Sequence, residues 1–113
     1  MGTYSSGGSS IFLNATEARK QTRDSVIVLN EVRALEANVL TQVNAGNLDV
    51  TVSTGTTITN GTTYYQAYNN ITSNTTLTDQ ISTVKKYFTD KGYSVNISTN
   101  SGTGNTLQWK IKW

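Results

Sequence analysis

Hydroxyl groups are the most abundant functional groups in this chain. A serine or threonine attacks a substrate only when a neighbouring base takes its proton. The chain has no histidine, the side chain that most often does this near neutral pH. It has no cysteine either, so thiolate attack and disulfides are both excluded. Proton transfer would fall to 9 Lys and Arg and 7 Asp and Glu residues. No Ser-x-x-Lys motif is expected at a pocket. Asp79 and Asp90 lie on one expected helix, about 16 Å apart at 1.5 Å per residue, too far to flank a single bond as acid and base. No D-x-D-x-D loop suggests calcium. The SGTGN segment around Gly102 and Gly104 is phosphate-loop-like in composition only. It lacks the Lys-Ser/Thr pair and the following helix that such a loop needs. The reading is a non-enzyme with no catalytic residues, no metal and no cofactor.

Binding chemistry has two candidate clusters. From Lys85 onward there are five lysines and one aspartate, interleaved with Tyr87, Tyr93, Trp109 and Trp113. Aromatic rings for base stacking and lysines for phosphates would suit single-stranded nucleic acid. Strict alternation argues otherwise, because Lys110 and Lys112 cannot share a strand face with Trp109 and Trp113. Nucleic acid is therefore not the expected partner. Tyr64, Tyr65 and Tyr68 form the second cluster. Tyrosine offers contact area with a hydrogen-bonding tip, which suits an interface, and local core packing suits it equally. Tyr64, Tyr65, Tyr68 and the terminal Trp113 are the interface candidates. Asn-x-Ser/Thr sequons at Asn14, Asn60, Asn70, Asn74 and Asn96 follow from an Asn- and Thr-rich composition.

The bulk composition agrees with a protein that works by contact. At 113 residues the chain is expected to form one domain with a thin core. Its hydrophobic fraction is 35 % and its charged fraction 14 %, low for a self-sufficient globule and low for charge-driven disorder. Homo-oligomerisation or docking on other proteins is expected. The net charge of +2 is too small to argue for nucleic acid by itself. No stretch approaches the roughly 20 apolar residues that span a bilayer, so no membrane association is expected. The first residues do not read as a secretory signal.

Residues 1–13, Gly/Ser-rich over the first ten, read as a flexible N-terminal arm, either a disordered terminus or a segment that orders on a neighbouring subunit. Residues 14–113 read as a single α+β domain. A long helix is expected over 15–45, with Asn14 and Glu17 as a capping box and Gly46 as its stop. Val28, Val32, Leu35 and Val39 form one apolar stripe, and Leu29, Leu40 and Val43 are read as widening it. The seven-residue spacing of Glu17, Asp24 and Glu31 hints at a coiled coil. Thr22 and Ser25 interrupt that seam, so a domain helix with a solvated first half is the reading. Residues 48–53 alternate Leu48, Val50 and Val52 as a strand. Asn60-Gly61 predicts a hairpin or protruding β-loop, and 69–75 a loop.

A second helix carries Leu77, Ile81, Val84 and Phe88 on one face, with Thr76 and Asp79 at its start and Gly92 at its end. Tyr93, Val95 and Ile97 form a strand; after a turn, Leu107, Trp109, Ile111 and Trp113 form its returning partner, with Thr106, Gln108, Lys110 and Lys112 opposite. The expected architecture is α+β: two amphipathic helices packed on a small, mainly antiparallel sheet, with Trp109 at the centre of the core.

The segments YYQAY (from Tyr64), TDQISTVKKYFTDKGYSVNISTN and TGNTLQWKIKW resemble a family of small virion structural proteins of tailed bacteriophages, notably marine cyanobacterial phages. That family carries a pattern close to TDQ-hydrophobic-x-x-V-x-x-YF-x-x-x-GY, then TN, TGNT and an alternating W-x-hydrophobic-x-W end. ARK near the start of the long helix and NAGNLDVTV after it are similar too, so the resemblance covers nearly everything from about residue 15 onward. Ile81 and Ala67 stand where the family is expected to have Met and a bulkier residue. The motifs are structural. The resemblance implies a virion component, located in the particle and bound to other virion proteins, with no catalytic residue to carry over. A multi-copy capsid decoration protein is the leading expectation. A neck, tail or fibre-attachment protein is the alternative, followed by a small nucleic-acid-binding phage protein.

Overall fold

The computed structural model describes residues 15–69 and 74–113. The expected N-terminal arm and the Asn14 cap lie outside these residues. In chain order the elements are α1 (Ala15–Asn44), β1 (Asp49–Val52), α2 (Thr62–Tyr68), α3 (Thr75–Thr89), β2 (Ser94–Asn100) and β3 (Thr106–Lys112). The α+β class holds, with three α-helices and a three-stranded sheet among the described residues.

The strands lie in the order β1-β3-β2, and both pairings are antiparallel. The last strand is therefore the central one. Its register makes two apolar rows across the inner face: Val50–Ile111–Val95 and Val52–Trp109–Ile97. The outer face carries Asp49–Lys112–Ser94 and Thr51–Lys110–Asn96, so alternation puts every lysine of β3 in water. α1 packs on β1 and on α3, and α3 packs on β2. Together they cover the inner rows, burying Val32, Leu35, Val39, Ile81, Val84 and Phe88 around a Trp109 with no exposed surface.

The two long helices end as the sequence predicts. Gly46 has φ +84 and Gly92 has φ +94. At each, paired bonds close the last turn: Gly46 N to Val43 O with Asn47 N to Gln42 O, and Gly92 N to Thr89 O with Tyr93 N to Phe88 O. This is the Schellman arrangement, and the ring contact between Phe88 and Tyr93, 5.7 Å between centroids, is its usual apolar companion. A Cβ at Gly92 would meet nothing within 4 Å, so any penalty there is purely conformational. Gly92→Ala is expected to cost about 1–2 kcal/mol, read as a lower urea midpoint with an unchanged slope.

Several expectations are corrected. Asn60-Gly61 makes no hairpin: Gly61 is extended at φ −103, and the Tyr-rich run that follows is α2. Two-residue hairpin turns of this composition need positive φ. Here Asn60 instead accepts a bond from Gly55 N, and Thr56 and Thr59 bond each other. Tyr64 and Ala67, three residues apart, are buried on one face of α2, a helical period within a run that local turn chemistry labels as a loop. α3 begins earlier than expected: Asn74, not Thr76, caps it, accepting from Leu77 N at 3.1 Å. Leu48 is 70 % exposed, because it precedes β1 and lies past the end of α1. Thr106, expected on the open face, is buried.

Candidate functional site

The sequence view treats Glu31 as one of a row of helix charges, yet it is buried in the core. Its Oε2 accepts from the Thr56 hydroxyl at 2.7 Å and from Trp109 Nε1 at 2.9 Å, and its Oε1 accepts from Ile58 N at 3.2 Å. Thr56 and Thr59 bond each other's hydroxyl and backbone groups beside it. One carboxylate thus ties α1, the 53–61 loop and the central strand together. A buried carboxylate in a cleft is a common catalytic sign. This one has both oxygens occupied, and among the described residues no buried side-chain nitrogen or oxygen lacks a partner. It is a structural hub. A signal was present in the sequence: Glu31 sits three residues after Val28 and four before Leu35, at the edge of the apolar stripe.

Ser82 and Lys85 form a Ser-x-x-Lys sequence that does reach a groove, contrary to expectation. They line a depression of about 240 Å³ with Tyr68 and Ile97. Both are exposed, and no hydrogen bond joins them among the described residues. Ser82 lies inside α3 (Thr75–Thr89), where backbone N–H groups are committed to the helix ladder and cannot serve as oxyanion donors. The two side chains do not form a nucleophile–base pair.

The interface candidates separate in space. Tyr64 is buried, with its hydroxyl bonded to Gln80, so it is a core residue and not an interface one. Tyr65 is half-buried. Tyr68 is exposed and donates to Ile97 O at 2.8 Å. Trp113 is half-buried at the far end of the sheet, its ring 6.1 Å from Tyr93 in an edge arrangement. Trp109 is covered while Lys110 and Lys112 face outward, so Trp109 shares no surface with either lysine.

The larger unassigned surface lies on α1. Leu29, Leu40 and Val43 do not widen the core stripe. They are 46 %, 59 % and 46 % exposed, and Val26 is 50 % exposed. At about 100° per residue, these four form a second stripe roughly a quarter-turn around the helix from Val28, Val32, Leu35 and Val39. Arg33 and Glu36 complete it, both exposed. Its C-terminal half borders a groove of about 310 Å³ between α1 and α3, walled by Val39, Leu40, Val43, Phe88 and Tyr93. Glu36 accepts from the Tyr87 hydroxyl at 2.9 Å. That bond, then partial burial and the carboxylate charge, hold the Tyr87 hydroxyl above its ordinary tyrosine pKa. Lys91 sits 4.4 Å over the same ring.

Among the described residues, no group of three or more Asp or Glu side chains is placed to hold a metal ion. No described helix is long and apolar enough to cross a membrane. Comparison with protein-family models, curated proteins and solved structures finds no match to this chain.

Proposed function

We propose that this chain is a non-enzymatic structural protein of a tailed bacteriophage particle, present in many copies as a capsid decoration protein and bound to other virion proteins. The single observation that carries a contact role is the apolar stripe left open along α1, where Val26, Leu29, Leu40 and Val43 are all about half exposed. A small domain with a thin core gains by burying such a stripe against another protein. The phage assignment is supported by the sequence motifs, from the ARK segment of α1 to the alternating W-K-I-K-W end. The same surfaces would serve a neck, tail or fibre-attachment position, and copy number separates these places.

Quantitative mass spectrometry of purified, sedimented particles tests the reading. Hundreds of copies per particle are expected for a decoration protein, whereas a ring of about a dozen would move it to the neck. Detection only in infected-cell lysate, never in particles, overturns the virion assignment.

A further inference from the structure

The exposed stripe of α1 is a palindrome. In order it carries Val26, Leu29, Arg33, Glu36, Leu40 and Val43. Read inward from both ends, it pairs Val26 with Val43, Leu29 with Leu40 and Arg33 with Glu36. The midpoints of all three pairs coincide between positions 34 and 35. The spacings alternate three and four residues, the a/d repeat by which two helices pack knobs into holes.

A two-fold interface has one strict requirement. The same patch must be complementary to itself, so that if one residue meets a second, the second meets the first. Here Val meets Val, Leu meets Leu, and at the centre a cation meets an anion twice. From this symmetry and charge complementarity we infer that α1 forms an antiparallel homodimer about an axis passing between Ala34 and Leu35. Parallel association would instead set Arg33 against the partner's Arg33 and Glu36 against the partner's Glu36, opposing like charges in the seam.

The structure leaves these groups ready for that contact. Among the described residues Arg33 has no ion-pair partner. Glu36 spends Oε2 on the Tyr87 hydroxyl, which orients the carboxylate while its second oxygen stays open to a cation. The antiparallel arrangement lays the partner's Leu29 over Leu40 and the partner's Val26 over Val43. Both then sit at the mouth of the groove walled by Phe88 and Tyr93. The seam spans about 25 Å of helix, a small interface that calls for reversible association. The inference is independent of the virion reading: a particle protein can be monomeric, and a dimer need not belong to a particle.

The full chain tests it. Sedimentation velocity from about 1 µM to 1 mM is expected to show a monomer passing to a dimer. Leu40→Glu is expected to stay monomeric and to melt at the temperature of the dilute, monomeric parent, since Leu40 is exposed in the monomer. Orientation is read by crosslinking, which is clean because the chain has no cysteine. Oxidising a mixture of Val26→Cys and Val43→Cys chains should yield a covalent heterodimer. Neither variant alone should crosslink, because two copies of either position lie about 25 Å apart across the axis, well beyond disulfide reach. A full chain that is monomeric throughout overturns the inference and hands the stripe to a different protein. Self-crosslinking of the Val26→Cys chain overturns it too, in favour of a parallel pair.

Discussion

Glu31→Ala is expected to lower the unfolding free energy by about 3–5 kcal/mol. Three donors converge on the Glu31 carboxylate: Thr56 Oγ1, Ile58 N and Trp109 Nε1. Truncation leaves Ile58 N and Trp109 Nε1 buried without an acceptor, while the Thr56 hydroxyl can turn to Thr59 Oγ1 at 2.7 Å. Each orphaned group costs about 1–3 kcal/mol, less whatever an entering water recovers, and the emptied site adds a cavity cost. A domain of this length has only about 6–17 kcal/mol to lose, so the variant should melt far below the parent. Glu31→Gln keeps one acceptor and the shape, and should cost about 1–3 kcal/mol. Urea titration followed by tryptophan emission measures both. Equal losses for Ala and Gln would mean that charge, rather than donor satisfaction, secures the 53–61 loop. A loss under about 1 kcal/mol for Glu31→Ala would remove the hub from the account altogether.

Trp109→Ala is expected to cost about 3–5 kcal/mol from the cavity and lost apolar burial alone, with a further cost because Glu31 loses a donor while staying buried. Trp109 lies at the centre of the inner face, between Val52 and Ile97 in register, where α1, α3 and the sheet converge. The rigid strands around it limit collapse into the space left, which favours the upper end of the range. Trp113 remains as the single tryptophan in this variant and reports unfolding by fluorescence. Trp109→Phe separates the two contributions, since it keeps most of the ring but removes the N–H. In a double-mutant cycle, Trp109→Phe and Glu31→Ala are expected to be less than additive, because each deletes one end of the same 2.9 Å bond. Strict additivity would show that the bond carries no coupling energy.

Much of this architecture was written in local pattern. The period of Leu77, Ile81, Val84 and Phe88 specified α3, and alternation specified β3 with Trp109 inward. Gly46 and Gly92 marked helix ends because the left-handed conformation those ends require is cheap only for glycine. The Asn60-Gly61 signal failed because loop chemistry was overruled from a distance: Glu31, 27 positions before Ile58, takes that loop's backbone donor. α2 was missed for a related reason, since seven residues carry too few turns for a period to stand out against neighbouring turn-forming residues.

On α1 the division between sequence and structure is sharpest. The amino-acid order by itself determined that this helix is long, that it ends at Gly46, and that its apolar residues spread beyond a narrow stripe. It also contains the palindrome in full. What it could not decide is which stripe faces the sheet. That choice depends on β3 pairing with both β1 and β2, which sets the width of the inner face, and on α3 occupying the adjacent position. Helical periodicity reports only angles around an axis. Burial depends on what other elements place against each angle, and that is a property of the assembled fold alone.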